Sequence, residues 1–142
     1  MMAIFQFAFV IQTQMGLSNA VREAARRAAA ADSLTTDWVR TQLCGSNTSS
    51  CDSGLLAANV QGFDDARLIP SNTVSIGLCT YDVSGIPNYR IDISVRYGNT
   101  VFFPMLAYAT DEMDGTRDGL WEIGQSAQMR LEHDLSSPPG SC

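Results

Sequence analysis

Lysine is absent from this chain of 142 residues, so that all nine of its basic residues are arginine. Fifteen acidic residues outnumber them and give a formal net charge of −6. A surface of that sign repels phosphate backbones, and no stretch alternates arginine with aromatic residues as a nucleic-acid groove requires. The composition therefore argues against a nucleic-acid partner.

Histidine is nearly absent too, with His133 as its one occurrence, and no two cysteines form a Cys-x-x-Cys pair. This set of residues does not fit the usual zinc sites. The chain also lacks a phosphate-binding Walker loop, a Gly-x-Gly-x-x-Gly motif, a His-Glu-x-x-His motif and a Gly-x-Ser-x-Gly nucleophile turn. We predict that the protein is not an enzyme and has no cofactor.

The four cysteines are Cys44, Cys51, Cys79 and Cys142. The polar, turn-forming stretch between the first two would let them close a short loop, which leaves Cys79 to pair with Cys142. Four cysteines allow three pairings, of which this is the preferred one, and four reduced thiols are the alternative. Because disulfides persist in oxidising compartments, the cysteines favour a location outside the cytoplasm.

Charge is missing from the start of the chain, since no charged residue precedes Arg22 and residues 1–11 are apolar apart from Gln6. Eleven helical residues cover about half of a ~30 Å hydrocarbon core, so the run is short for a lone membrane span. The positive-inside rule would place Arg22, Arg26 and Arg27 in the cytoplasm, in conflict with the cysteines. We expect either that a basic leader has been removed or that the helix works inside a fibre.

Residues 14–30 are rich in alanine and contain no proline, and Glu23 lies four residues before Arg27. These features predict one continuous helix over residues 2–31. Small residues recur along it every four positions, at Gly16, Ala20, Ala24 and Ala28. We predict that this small-residue stripe packs against another helix, with packing inside its own domain as the alternative. The apolar extension before it is hydrophobic on all sides, so we expect another molecule to cover it.

Residues 32–142 are predicted to form a small extracytoplasmic α+β domain. Residues 34–43 predict a short helix that Asp32 or Ser33 would cap. Alternating apolar residues predict two strands that form a hairpin, and two further strands follow. The four predicted strands cover residues 73–82, 89–97, 101–106 and 121–132. The predicted fold class is thus α+β, with a long N-terminal apolar helix at residues 1–31 and a three- to four-stranded antiparallel sheet.

An acidic run at residues 111–122 comes nearest to a metal site. Asp114, Thr116, Asp118 and Gly119 fit the first half of a calcium-binding loop. The second half does not fit, because the twelfth position is Gln125 where such loops carry a bidentate glutamate. We predict a solvated acidic turn without a metal, and keep bound calcium as the alternative.

Three short segments carry a family likeness, namely Gln6-Phe7-Ala8, the alanine-rich residues 16–30 and the closing residues 126–132. They resemble TadE/TadG-like pilins: residues 16–30 are similar to the run in which the apolar helix of that family emerges, and Gln6-Phe7-Ala8 stands where the family often has Glu-Phe-Gly. Residues 126–132, Ser-Ala-Gln-Met-Arg-Leu-Glu, are similar to the family's closing Ala-x-Met-Arg-x-Glu pattern. The resemblance covers about half of the chain, at residues 6–30 and 88–134.

The resemblance implies a structural pilin-like subunit that assembles through its N-terminal helix into or onto an extracellular type IV (Tad-like) pilus. The implied partners are pilin subunits, chiefly copies of the chain itself, and the cytoplasmic membrane before assembly. The implied location is an extracellular filament or the cell surface. Two alternatives remain open, namely a membrane-anchored minor assembly component and a soluble calcium-dependent adhesion module.

Overall fold

In a computed structural model of the chain, the described residues are 2–32, 34–46, 50–70, 74–101, 119–132 and 140–141. Their elements, in chain order, are α1 (Met2–Ala29), α2 (Thr36–Cys44), α3 (Leu55–Asn59), a 3₁₀ turn (Asp65–Arg67), β1 (Ser75–Val83), β2 (Ile86–Thr100) and β3 (Leu120–Arg130). The strands form one antiparallel sheet in the order β1-β2-β3. The predicted α+β class, the N-terminal helix and the three-stranded antiparallel sheet are confirmed.

The helix α1 runs without a break over 28 residues, as its alanine content predicts. Its last turns carry an ion-pair cluster, because Glu23 accepts hydrogen bonds from Arg26 at 3.0 Å and from Arg27 at 2.9 Å. Across the described residues, none of the helices combines the length and the apolar character that crossing a membrane needs.

The predicted hairpin is present; β1 nearly matches the predicted residues 73–82, and β2 is longer at both ends than the predicted 89–97. β1 and β2 are joined by the two residues Ser84 and Gly85, which have positive φ angles of 57° and 83°. Two such residues in succession match the right-handed twist of the flanking strands. The carboxylate of Asp82 accepts a hydrogen bond of 2.7 Å from the Gly85 N–H and holds the turn in place.

One hydrophobic core joins α1 to the rest of the described chain. β2 contributes its inward-facing side chains Ile91, Ile93, Val95 and Tyr97, all fully buried. α1 lies across them and adds Leu17 and Val21 from its second half. The predicted division between residues 31 and 32 falls in the connection from α1 to α2, and it stays a prediction.

The middle of the chain, for which the sequence predicted no element beyond the first short helix, holds α3 and the 3₁₀ turn. Cys44 and Cys51 form the predicted disulfide at its start, and both are buried. Farther on, the Tyr97 hydroxyl accepts a hydrogen bond of 3.2 Å from the Asp64 N–H. The Phe63 ring stacks on the Tyr97 ring with their centroids 5.4 Å apart. These contacts tie the segment to β2.

The short helix α2 begins later than predicted. Its N-cap is Thr35, whose hydroxyl accepts a hydrogen bond of 3.1 Å from the Trp38 N–H. The sequence had indicated Asp32 or Ser33, because either residue type is a good cap. Only the residue whose side chain reaches the first free N–H groups of the helix serves as the cap, and that residue is Thr35.

Some predictions fall on residues outside the described ranges. These are most of the predicted strand at 101–106, the acidic run up to Asp118, and Cys142. Cys79, the predicted partner of Cys142, is disulfide-bonded. Its neighbour Thr80 forms a β-bridge with Ser141.

Candidate interaction surface

The small-residue stripe of α1 packs inside this chain. Gly16, Ala20, Ala24 and Ala28 are all buried by the chain's own residues. A Cβ placed on Gly16 would lie 3.0 Å from the Asn59 carbonyl carbon and 3.2 Å from Val60 Cγ2, and closer still to the Asn59 carbonyl oxygen. At Gly16 the stripe therefore gives the end of α3 room to approach. The burial of the stripe within the chain agrees with the alternative of packing inside its own domain, and packing against a helix of another subunit stays a prediction.

A different set of α1 side chains is exposed. Six large apolar residues within the first fifteen positions keep between 50% and 72% of their surface accessible. We call them the N-terminal apolar surface; they are Ile4, Phe5, Phe7, Phe9, Ile11 and Met15. An open groove of about 510 Å³ between α1 and α3 runs along this surface at Ile11 and Met15. The apolar extension that the sequence predicted to need a cover is thus largely uncovered by the described chain.

In the same part of α1 that carries the N-terminal apolar surface, the side that faces the sheet has buried polar residues. Gln6 is only 2% exposed, and its Nε2 donates a hydrogen bond of 3.1 Å to the Thr100 carbonyl. The Thr13 hydroxyl lies 3.2 Å from Asn99 Oδ1, and both residues are buried. A helix that covers its own domain turns its apolar side inward and its polar side to water. In the first half of α1 the large apolar residues are exposed and Gln6 and Thr13 are buried, although Val10 is buried and Gln12 and Gln14 face water as in an ordinary surface helix.

Aromatic packing fixes the position of this surface on the molecule. The Phe7 ring meets the Trp121 ring of β3 edge to face, with centroids 5.6 Å apart and planes at 78°. At the other end of α1, the Glu132 N–H donates a hydrogen bond of 3.3 Å to the Ala29 carbonyl. α1 therefore lies along the sheet, and the N-terminal apolar surface sits at the end where β2 finishes and β3 begins.

Charge is confined to the second half of α1. The hydrogen bonds from Arg26 and Arg27 hold the pKa of the Glu23 carboxyl below its ordinary value of 4.5, and the same Glu23 raises the pKa of Arg26. No charged residue stands among or beside the six apolar residues within α1. The helix thus has an apolar half and a charged half.

A metal centre has no support among the described residues, since no three His, Cys, Asp or Glu side chains come together there. Asp114, Thr116 and Asp118, the positions of the candidate calcium loop that have side-chain oxygens, lie outside the described ranges. Gly119 and Gln125 are described, just before β3 and within it. The calcium alternative therefore stays untested.

Known proteins do not supply a family for this fold. No protein-family profile, curated protein or solved structure matches the chain. The likeness to TadE/TadG-like pilins thus rests on the segments quoted above and stays a prediction.

The sequence did contain a signal for the inverted side of α1. Gln6 and Thr13 are seven residues apart, which is two helical turns, so they share one side of the helix, and only Gln12 among the residues between them is also polar. Their partners Asn99, which is buried, and Thr100, which is half-buried, gave no such signal, because no local sequence feature shows that a helix packs over the end of a strand. The contact of Phe7 with Trp121 was likewise not predictable from either segment alone.

Proposed function

We propose that this protein is a structural pilin-like subunit that assembles through its N-terminal helix into or onto an extracellular type IV (Tad-like) pilus. The observation that supports it best is the N-terminal apolar surface, which faces outward while Gln6 and Thr13 face the protein. A helix with this inverted arrangement is suited to contact another molecule on its apolar side.

The size of the surface indicates how strongly it would drive assembly. A phenylalanine side chain buries about 150–250 Å², so three that are half exposed offer about 300 Å². With the two isoleucines and the methionine the surface reaches about 600 Å², at the upper end of what a monomer usually exposes. Covering it would contribute about 15 kcal/mol at 25 cal/mol per Å², comparable with the cost of association. One such contact is marginal, whereas repeated contacts in a filament are sufficient.

The length of the surface favours a protein partner over a membrane. From Ile4 to Met15 the helix rises about 17 Å, roughly half of a ~30 Å hydrocarbon core. The buried disulfide between Cys44 and Cys51 agrees with assembly in an oxidising compartment. For these reasons the pilus subunit is preferred to the membrane-anchored minor component.

The test is electron microscopy of the full chain next to two double variants. Phe5→Ser with Phe9→Ser removes apolar surface from α1 without touching the core. Val83→Ser with Ile86→Ser removes exposed apolar surface from the hairpin tip and is the matched control. We expect the native chain and the hairpin variant to form ordered filaments, and the helix variant to remain dispersed with unchanged circular dichroism.

Other outcomes would separate the remaining hypotheses. If the native chain stays dispersed in every condition, or if the helix variant forms the same filaments, the proposal is wrong. Binding to lipid vesicles by the native chain, lost in the helix variant, would instead support a membrane-anchored component. Adhesion that chelation abolishes and the helix variant retains would support the calcium-dependent module.

A further inference from the structure

The strand β3 lies at an open edge of the sheet. It pairs with β2 in an unbroken register from Thr100 and Leu120 to Arg90 and Arg130. No other strand within the described ranges pairs with it. The opposite edge is partly covered, because the Thr80 N–H on β1 donates a hydrogen bond of 2.9 Å to the Gly140 carbonyl. Among the described strands, β3 is therefore the one whose outer edge, from Glu122 to Arg130, has no strand beside it.

This edge lacks the features with which proteins usually block strand addition. Natural edges are kept short or carry lysine, proline or a bulge. β3 has eleven residues, its register shows no bulge, and no proline or charge occurs from Ile123 to Met129. A strand of this kind readily accepts another strand beside it.

The hydrogen bonds at the two ends of the β2–β3 ladder show which residues of β3 point outward. The Leu131 N–H donates to the Tyr89 carbonyl at 2.9 Å, and the Val101 N–H donates to the Gly119 carbonyl at 3.3 Å. Backbone groups alternate in direction along an antiparallel strand. The odd-numbered residues of β3 therefore bond to β2, and the even-numbered residues from Glu122 to Arg130 turn their N–H and C=O groups to the open edge.

The side chains at the two ends of this edge carry opposite charges. Arg130 is exposed and lies directly opposite Arg90 in the register, an unfavourable like-charged pair. Arg90 is neutralised by Asp92 at 3.0 Å, whereas no carboxylate of the described residues is in ion-pair distance of Arg130. At the other end Glu122 is paired with Arg96. The edge thus carries a carboxylate at one end, which already pairs with Arg96, and at the other end a guanidinium without an ion-pair partner among the described residues.

We infer that β3 pairs antiparallel with β3 of a second copy of this chain, which joins the two sheets into one. A two-fold axis at Ser126 places Glu122 opposite Arg130 of the second copy, and Arg130 opposite its Glu122. Gly124 then lies opposite Gln128, and Ser126 lies opposite itself. Five pairs of even-numbered residues exchange about ten hydrogen bonds, which is the usual number in a stable interface.

The side chains select this register over its neighbours. Moving the axis to residue 127 places Glu122 opposite Glu132, and moving it to residue 125 places Glu122 opposite Gln128. Only the axis at Ser126 brings opposite charges together at both ends. On the side of the sheet that faces the core, the same register sets Ile123 against Met129, both of which pack in the core.

This inference goes beyond the proposed function, because assembly through α1 neither requires nor prevents pairing through β3. The two are separated by working in the Phe5→Ser, Phe9→Ser background, in which contacts of the N-terminal apolar surface are weakened. Dimerisation is then measured on the full chain by sedimentation equilibrium. We expect a dimer in this background.

Charge reversal tests the register. Arg130→Glu relieves the repulsion from Arg90 within the chain but places two carboxylates opposite each other at both ends of the dimer. Glu122→Arg places two guanidinium groups opposite each other at both ends of the dimer. We expect each variant alone to raise the dimer dissociation constant at least about tenfold. A mixture of the two should form a one-to-one heterodimer, because every end pair then joins opposite charges.

Cross-linking tests the position of the axis. In a hydrogen-bonded antiparallel pair the Cα atoms are about 5.5 Å apart, which suits a disulfide. Ser126→Cys should therefore give a covalent dimer on mild oxidation. Gln128→Cys is the matched control, since its two copies would be about 14 Å apart along the strands. A chain that is monomeric throughout, a mixture that forms no heterodimer, or cross-linking through Gln128→Cys alone would overturn the inference.

Discussion

Gly16 is the residue at which α1 and α3 come closest. Its position four residues before Ala20 suggested a smooth helix surface, which is what the structure contains, but the surface serves the chain's own α3. The Asn59 carbonyl group and the Val60 side chain occupy the space that any side chain at position 16 would need. The residue type is therefore required by an intramolecular contact.

We expect Gly16→Ala to destabilise the protein. Overpacking against the backbone of α3 costs about 1–3 kcal/mol, which exceeds the gain of up to about 1 kcal/mol from helix propensity. Urea unfolding should show a net loss of about 1–2 kcal/mol. Gly77→Ala is the control, because its Cβ would make only an ordinary contact of 3.8 Å with Asp92 Cβ. If Gly16→Ala were as stable as the native protein or more so, α3 would be able to move away from position 16 without loss of free energy of unfolding.

Individual residues were predictable where their partners are near in sequence. Cys44 and Cys51 are seven positions apart, and the turn-forming residues between them sufficed to predict their bond. The cap of α2 was missed because Asp32, Ser33 and Thr35 are all suitable residue types. The choice among them depends on where the chain leaves α1, which is a property of packing.

Among the elements, α1 is divided into an apolar half and a charged half, and the charged half can be examined by titration. Glu23 accepts hydrogen bonds from Arg26 and Arg27, which lower its pKa in the folded protein. The support that this cluster gives α1 is therefore complete above about pH 4.5. It is lost as the pH falls through the lowered pKa of the folded state, when the carboxylate is protonated.

We expect a carbon-13 NMR titration to give a Glu23 midpoint below 4.5 in the native protein. Replacing both arginines, as Arg26→Gln with Arg27→Gln, should raise that midpoint toward the ordinary value. Arg22→Gln is the control, because Arg22 is exposed on the same helix and forms no ion pair with Glu23. A midpoint that is the same in all three proteins would show that the ion pairs do not persist in solution.

The strands, too, were predictable only where their pattern does not depend on segments distant in sequence. Alternation in residues 89–97 located β2, yet β2 continues to Thr100, where Asn99 and Thr100 bond to α1. Polar residues at a strand end look like the start of a loop in the sequence. They belong to the strand here because β3 pairs with them and α1 covers them.

At the scale of the whole molecule, α1 and the sheet share one core, although the sequence suggested a helix followed by a separate domain. Leu17, a residue of α1, is fully buried in this core. We expect Leu17→Ala to lower the free energy of unfolding of the entire chain by about 2–5 kcal/mol. Tryptophan fluorescence, which reports on Trp38 and Trp121, and helical circular dichroism should show coincident transitions.

Met15→Ala is the control for this prediction, because Met15 is exposed and its truncation should change stability by no more than about 0.5 kcal/mol. Loss of helical signal before the tryptophan signal in Leu17→Ala would show two units that unfold separately. The boundary predicted between residues 31 and 32 would then separate two units that unfold independently.

The sequence alone determined the features that depend on neighbours along the chain. These are the continuous helix, the hairpin with its turn, the short disulfide loop and the apolar character of residues 1–11. Tertiary structure decided which side of α1 points inward, because Gln6 and Thr13 find their partners 94 and 86 residues away. It also decided that α3 packs against Gly16 and that β3 has a partner strand on only one side among the described residues. Side-chain patterns indicate which residues must be buried or paired, whereas the packing of distant segments determines which other residues cover them or pair with them.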